Sequence, residues 1–212
     1  MISSRVKSMD ASGIRKVFDL AKDIKDPVNL SIGAPDFDVP DNIKEEAIKA
    51  IQNGKNRYTQ TQGEIELREK VQEYYSTRYK VELEDVIITA GVSGALTLAF
   101  ATLLDPGDEV IFGDPFYVGY PQVARLFNAI PVLVDTYPDF ILTPERLERR
   151  IGPKTKIIIV NNPCNPTGVI IQKSDLKGIA EIAKKYNCVI ISDEIYDTFV
   201  YDGEIDTIAR YY

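Results

Sequence analysis

The feature that most constrains the fold is a strand–helix–strand unit in the last third of the chain. An apolar run at Lys156–Val160 leads into a turn rich in Asn, Pro and Gly, then an amphipathic segment of helix length, then a second apolar run at Cys188–Ile191 that ends at an acidic residue. This order predicts a βαβ unit with two neighbouring parallel strands. Ligands of open α/β sheets bind outside the carboxyl ends of such strands, so Asn165, Asp193 and Tyr196 are predicted to share one site.

The alternation of strand and helix extends over the chain from Val86 onward. Turns or segments of helix length separate the runs of apolar residues that have strand length. The five predicted strands are Val86–Thr89, Glu109–Phe112, Val132–Val134, Lys156–Val160 and Cys188–Ile191. We therefore predict an α/β fold with a mostly parallel central sheet and helices on both faces.

The first part of the chain is predicted to be an arm with short elements. A helix is expected at Gly13–Lys22 and a short strand at Val28–Ile32, followed by a turn in which Gly33 permits close approach of the backbone to a ligand. An ordinary Gly-Pro turn explains the same residues equally well. Two helices follow, at Asp41–Gly54 and at about Glu64–Tyr79.

The segment Gly91–Ala101 is apolar on nearly all sides, which predicts a fully buried helix. Gly91 and Ser93 come directly after a predicted strand and would leave free N–H groups and a hydroxyl at the ligand edge, which suits a phosphate. A tight packing turn is the alternative. The segment matches neither G-x-G-x-x-G nor a Walker loop, so it does not indicate nucleotide binding. By residue type alone, Tyr58 and Tyr117 fit packing positions better than ligand contacts.

Composition excludes several functional classes. A net charge of −7 argues against a nucleic acid or an anionic membrane as the partner. The absence of histidine excludes histidine-based triads and histidine-ligated metals, so no metal site is predicted and acid–base chemistry falls to other side chains. The two cysteines, Cys164 and Cys188, are expected to be reduced. No signal peptide or membrane-spanning run is found, so a cytoplasmic location is expected.

Together these parts suit a flat, phosphorylated aromatic ligand with a basic ring nitrogen and an oxygen substituent, which are features of pyridoxal 5′-phosphate. In these motifs the chain resembles the class I/II aminotransferases, the fold-type-I pyridoxal-phosphate enzymes related to aspartate aminotransferase. The resemblance covers nearly the whole chain from about Leu30. It rests on IGAPDF at 32–37, Tyr58 with Gly63 and Leu67-Arg68, TAGVSGAL at 89–96, DPGD at 105–108, NPTG at 165–168 and SDEIY at 192–196.

The resemblance implies a role for each matching position. Asp193 would pair with the pyridine nitrogen of the cofactor, and Asn165 and Tyr196 would donate hydrogen bonds to its phenolic oxygen. Tyr117 would stack on the ring. The other implied contacts are those of Gly91, Val92 and Ser93 with the phosphate, of Tyr58 with the phosphate of the neighbouring subunit, and of Gly33 with the substrate carboxylate. Cys164 is read as incidental.

The resemblance also implies an activity and a domain plan. The activity is transfer of an amino group between an amino acid and a 2-keto acid by a homodimer, in amino acid metabolism and biosynthesis. Residues 1–40 are expected to form an N-terminal arm and part of an incomplete small domain. Residues 41–212 are expected to form the large, pyridoxal-phosphate-binding domain.

One departure concerns the lysine that forms the Schiff base with the cofactor. Such enzymes carry it a few tens of residues after the position of Asp193, but here Lys185 is the last lysine and the 16 residues after Tyr196 contain none. The arginine that binds the substrate α-carboxylate is missing too. The chain is therefore expected to be the front part of an aminotransferase that does not transaminate alone.

Three alternatives remain open at this point. A pyridoxal-phosphate-dependent lyase of the same fold would use the same cofactor residues. A non-catalytic binding or dimerisation module is favoured by the missing lysine and disfavoured by the intact cofactor motifs. A nucleotide-binding α/β protein is the most distant alternative, because no phosphate-loop signature is found.

Overall fold

The computed structural model of the protein describes residues 1–7, 9, 24–25, 33 and 35–212. The chain divides into two compact units, one formed by Met1–Asp10 with Ile65–Tyr212 and the other by Ala11–Glu64. The predicted helix Gly13–Lys22 and the predicted strand Val28–Ile32 lie outside the described residues.

The larger unit is built around a parallel sheet. Its strands are β1 (Glu109–Asp114), β2 (Ile130–Asp135), β3 (Thr155–Asn161) and β4 (Val189–Asp193). They lie in the order β2-β1-β3-β4, and every neighbouring pair is parallel. Within the described residues, β4 pairs with β3 alone. The predicted α/β fold with a parallel central sheet is confirmed.

The described residues form helices in both units. They are α1 (Ser4–Lys7), α2 (Asp41–Gln52), α3 (Ile65–Tyr79), α4 (Gly91–Leu103), α5 (Gly119–Leu126), α6 (Pro144–Glu148), α7 (Lys173–Tyr186) and a 3₁₀ turn at Ile208–Arg210. Helix α2 belongs to the smaller unit, and the others belong to the larger one. In the part of the chain that the structure describes, no helix is both long and apolar enough to cross a bilayer.

Strand β3 shows how the sheet comes to be covered on both faces. Its side chains alternate between the two faces, and those of residues 157–160 are all buried. Ile157 and Ile159 join a core with Phe100 of α4 and Tyr120 of α5. Ile158 and Val160 join a second core with Leu176 and Ile179 of α7. A continuous apolar run that is buried on both sides is typical of a strand in a parallel sheet.

The predicted strand Val86–Thr89 is wrong. The N–H of Val86 donates to Oδ1 of Asp85 at 2.7 Å, and its carbonyl oxygen accepts from Nε of Arg68 at 2.7 Å. Side chains thus satisfy backbone groups that a strand would pair with a neighbour, and a β-ladder requires such a neighbour. The segment is therefore held by local side chains and by α3.

The prediction of a fully buried helix at Gly91–Ala101 is also wrong. Helix α4 forms and extends to Leu103, but it buries only Leu96 and Phe100, which lie one turn apart on the face toward the sheet. Leu98, on another face, is 56% exposed. Only part of the apolar surface of α4 is therefore packed against other described residues.

Strands β3 and β4 run further at their carboxyl ends than the apolar runs suggested. The ladder continues to Asn161 and Asp193, which are direct partners in adjacent strands. Backbone hydrogen bonds extend the ladder regardless of side-chain polarity, whereas the prediction ended each strand at its last apolar residue. As a result, both polar side chains start from well-ordered backbone at the edge of the sheet.

Candidate active site

A pocket of about 250 Å³ lies at the carboxyl ends of β3 and β4, beside the first turn of α4. Seven of the nine residues singled out from the sequence line it: Gly91, Val92, Ser93, Tyr117, Asn165, Asp193 and Tyr196. Four further residues line the pocket and were not predicted; two of them, Tyr120 and Asn161, have polar side chains. The expected convergence of polar residues at one sheet edge is therefore present in the structure.

Asp193 is the buried acid of this pocket, with 7% of its surface exposed. Its Oδ2 accepts a hydrogen bond of 2.6 Å from the Tyr120 hydroxyl, and its Oδ1 accepts a longer one of 3.3 Å from the Ile195 N–H. Both donors are neutral, so these contacts orient the carboxylate without compensating its charge. Such a group favours a positively charged partner in the pocket.

Tyr120 is fully buried in α5, three residues after Tyr117. The two rings meet edge to face, with centroids 5.4 Å apart and an interplanar angle of 79°. Burial, together with the neighbouring Asp193, raises the pKa of Tyr120, so its hydroxyl stays protonated and acts as a donor. Tyr117 lies in the turn before α5, and the Tyr120 N–H donates a hydrogen bond of 3.1 Å to its main-chain oxygen, which brings the two rings together.

Asn165 and Tyr196 lie next to each other in the pocket. Nδ2 of Asn165 lies 3.4 Å from the Tyr196 hydroxyl, and Tyr196 is partly open to solvent at 37% exposure. Both side chains therefore offer polar groups to a ligand that reaches this side.

Asn161 links the loop after β3 to the end of β4. Its Oδ1 accepts a hydrogen bond of 2.7 Å from the Asn165 N–H, and its Nδ2 donates one of 3.0 Å to the main-chain oxygen of Asp193. Its position as the last residue of β3 gave no sign of this role, because an asparagine in a turn-rich sequence has many possible partners.

The first turn of α4 also lines the pocket. Gly91 has a φ of +67°, a left-handed conformation that glycine adopts without strain. Ala90, which precedes the helix, has no polar side-chain atom that could cap the first turn. The N–H groups of a first helical turn have no intrahelical acceptor, so they form a favourable place for an anion.

A group of α3 side chains holds the loop that follows Asp193. The hydroxyls of Tyr74 and Tyr79 donate to Oδ2 of Asp197 at 3.0 and 2.7 Å. The Tyr75 hydroxyl donates to Glu194 at 3.2 Å. Burial raises the pKa of Tyr79, and its hydrogen bond to Asp197 raises it further, so this phenol also remains a donor. The loop between Asp193 and Tyr196 is thus fixed from outside the pocket.

The other two predicted residues, Gly33 and Tyr58, belong to the smaller unit. Gly33 has no atom within 4 Å of the position that a Cβ would occupy, and Tyr58 is fully exposed. Their contacts with a substrate and with a neighbouring subunit stay predictions.

None of the residues that line the pocket is a lysine. Lys185, the last lysine of the sequence, lies at the end of α7 and pairs with Glu148 of α6, with Nζ 2.7 Å from Oε1. The pocket therefore has the shape and polar groups of a binding site, without an amine that would react with a carbonyl ligand.

Comparisons with known proteins place the chain in a family. Residues 25–211 match the family described as aminotransferase class I and II. Aspartate aminotransferase of Pyrococcus horikoshii is 43% identical over 205 residues, which are 95% of this chain and 52% of that protein. Aromatic-amino-acid aminotransferase 2 of Thermococcus litoralis is 39% identical over 207 residues, which are 95% of this chain and 53% of that protein.

Solved structures agree with the sequence relatives. Aspartate aminotransferase from Thermus thermophilus with maleate superimposes with a TM-score of 0.92 at 37% identity, covering 99% of this chain and 57% of that structure. The chain spans about half the length of the curated relatives it matches. With a family match over most of its residues and the same fold, this chain belongs to the class I and II aminotransferases.

Proposed function

We propose that this chain carries the cofactor site of a pyridoxal 5′-phosphate-dependent aminotransferase, an enzyme that moves an amino group between an amino acid and a 2-keto acid. The main support is Asp193, a buried carboxylate that is oriented by neutral donors and shares a pocket with the Asn165–Tyr196 pair. A cationic, planar ligand with an oxygen substituent on the far side satisfies both groups.

The residues that line the pocket fit pyridoxal 5′-phosphate on each side. In the proposed arrangement, Asp193 holds the proton on the ring nitrogen, and Asn165 and Tyr196 donate hydrogen bonds to the phenolic oxygen. Tyr117 stacks on the ring. Gly91, Val92 and Ser93 hold the phosphate at the start of α4. When bound, the cofactor supplies an electron sink for the reacting amino acid, and the protonated ring nitrogen strengthens it.

Further parts of the proposal concern the whole protein. Tyr58 reaches the phosphate of the neighbouring subunit in a homodimer, and Gly33 lies beside the substrate carboxylate. Residues 1–40 form an arm and part of an incomplete small domain, and residues 41–212 belong to the large domain. The relatives are named for aspartate and aromatic amino acids, which supports a role in amino acid metabolism and biosynthesis. The cytoplasm is proposed as the location.

Binding of pyridoxamine 5′-phosphate to the 212-residue chain tests the site. This ligand has no aldehyde, so it does not react with surface lysines and needs no Schiff-base lysine in the pocket. Calorimetric titration is expected to show binding that Asp193→Ala weakens about 10-fold or more, as expected for loss of a charge-assisted hydrogen bond. Asp202→Ala is the control, because Asp202 is exposed and does not line the pocket. Absence of binding, or equal affinities of the two variants, would contradict the proposal.

The reaction type needs a protein that combines this chain with a Schiff-base lysine. Release of a keto acid from an amino acid, with conversion of the cofactor to its pyridoxamine form, supports transamination. Loss of a side-chain fragment from the amino acid supports a lyase instead.

A further inference from the structure

The Asp193 carboxylate has one strong orienting contact. Its Oδ2 lies 2.6 Å from the Tyr120 hydroxyl, whereas the Ile195 N–H lies 3.3 Å from Oδ1. Hydrogen bonds to an ionised acceptor are strongest at short distances, so Tyr120 contributes more than Ile195 to the rotation of this carboxylate.

Tyr120 is itself held in place. It is 1% exposed, and its ring packs against Phe112 with centroids 5.6 Å apart and against Tyr117 with centroids 5.4 Å apart. A buried ring that contacts neighbours on two sides has few alternative rotamers. The hydroxyl is therefore a fixed donor, and the same ring packs edge to face with Tyr117, which also lines the pocket.

We propose that Tyr120 is a positioning residue whose hydroxyl fixes the Asp193 carboxylate in the orientation that meets a protonated ring nitrogen. This inference rests on the proposed function, because it concerns the ligand group that Asp193 faces. A carboxylate held in its binding orientation before the ligand arrives loses no rotational freedom on binding, so its contact with a cation is stronger.

A pair of ligands separates this role from a general effect on folding. The pair consists of pyridoxamine 5′-phosphate and its analogue in which a C–H group replaces the ring nitrogen. Tyr120→Phe keeps the ring and removes the hydroxyl. We expect it to weaken binding of the nitrogen ligand about 10-fold, as for loss of a hydrogen bond to a charged group, and to leave binding of the analogue unchanged.

Tyr211→Phe is the matched control. The Tyr211 hydroxyl also donates a hydrogen bond of 2.6 Å to a buried aspartate, Asp206, but neither residue lines the pocket. This variant is expected to bind both ligands as the unaltered chain does. Equal weakening of both ligands by Tyr120→Phe would overturn the proposal, and so would tighter binding of the nitrogen ligand.

A second comparison is made in an Asp193→Asn background. Here Tyr120→Phe does not leave a buried carboxylate without its partner, which protects the fold, and it is expected to change neither affinity. Any further loss for the nitrogen ligand in this background would show that Tyr120 does not act through Asp193, against the proposal. If the unaltered chain binds neither ligand, both the proposed function and this inference fail. If the unaltered chain binds the nitrogen ligand but the Tyr120 variants do not show the expected affinities, only this inference is contradicted.

Discussion

Asn161 and Asp193 are partners in adjacent strands, and the Nδ2 atom of Asn161 lies 3.0 Å from the main-chain oxygen of Asp193. The same amide accepts a hydrogen bond from the Asn165 N–H at 2.7 Å. One side chain therefore connects the backbone of Asp193 to the backbone of Asn165, and both residues line the pocket.

Replacing Asn161 is expected to affect stability and binding together. Asn161→Ala removes both hydrogen bonds and is expected to lower the free energy of unfolding by about 2 kcal/mol, at about 1 kcal/mol for each bond. Asn161→Asp keeps the acceptor for Asn165 but places a carboxylate oxygen against the main-chain oxygen of Asp193, so a loss at least as large is expected. Urea unfolding and pyridoxamine 5′-phosphate titration measure the two effects. If the alanine variant matches the unaltered chain in both, the connection has no energetic role.

Two tyrosines on α3 allow a test of how the loop after Asp193 is held. Tyr79 is 4% exposed and its hydroxyl lies 2.7 Å from Asp197, whereas Tyr74 is 40% exposed with a bond of 3.0 Å to the same oxygen. Tyr79→Phe is expected to lower the free energy of unfolding by about 1 to 2 kcal/mol, because the bond is buried and its acceptor is charged. Tyr74→Phe is expected to have a smaller effect, since solvent screens its bond. A larger loss from the exposed tyrosine would reverse this interpretation.

Two glycines at the start of α4 are expected to respond in opposite ways to alanine. Gly91 has a φ of +67°, so Gly91→Ala is expected to destabilise the chain by about 1 kcal/mol or more through backbone strain. At Gly94 a Cβ would make an ordinary contact of 3.4 Å with Ala90, so Gly94→Ala is expected to be neutral, or stabilising by up to about 1 kcal/mol. Thermal and urea unfolding of both variants give the comparison. Equal effects of the two substitutions would argue against strain at Gly91.

The pH dependence of stability is expected to include a contribution from Asp206. Burial alone would raise the pKa of Asp206, but hydrogen bonds from Tyr211 and Arg210 outweigh it and lower the pKa below its ordinary value of 3.8. A carboxylate with a lower pKa in the folded chain stabilises the fold fully above the unfolded pKa, and this stabilisation is lost as the pH falls through the folded pKa.

Urea unfolding between about pH 6 and about pH 3 measures this contribution. Asp206→Asn is expected to lose stability at the upper end of the range and to show a shallower decline toward acid. Asp202→Asn, at an exposed position, is expected to keep the slope of the unaltered chain. An unchanged slope for Asp206→Asn would show that Asp206 does not contribute to the loss of stability at low pH.

The sequence predicted those parts of the molecule that depend on chain order and apolar runs. The strands at the centre of the sheet read as uninterrupted apolar segments, and the rule for parallel sheets then brings Asn165, Asp193 and Tyr196 to one edge. By contrast, Val86–Thr89 has the composition of a strand but no neighbour within the described residues. Composition cannot reveal a missing ladder partner, and so this prediction failed.

Tyr120 and Asn161 escaped prediction for a related reason. Each acts through the direction of a polar atom, and that direction depends on how α5 and the end of β3 are rotated relative to their neighbours. A tyrosine three residues after another aromatic residue reads equally well as core, and its ring is in fact part of the core. Only the three-dimensional structure shows that its hydroxyl reaches Asp193.

The outer side of β4 has a further consequence. Within the described residues this strand pairs only with β3, so its other side presents backbone N–H and C=O groups along Val189–Asp193. Unpaired strand edges recruit further strands. Because this edge ends at Asp193, a strand that adds to it would lie directly beside the backbone of the buried acid.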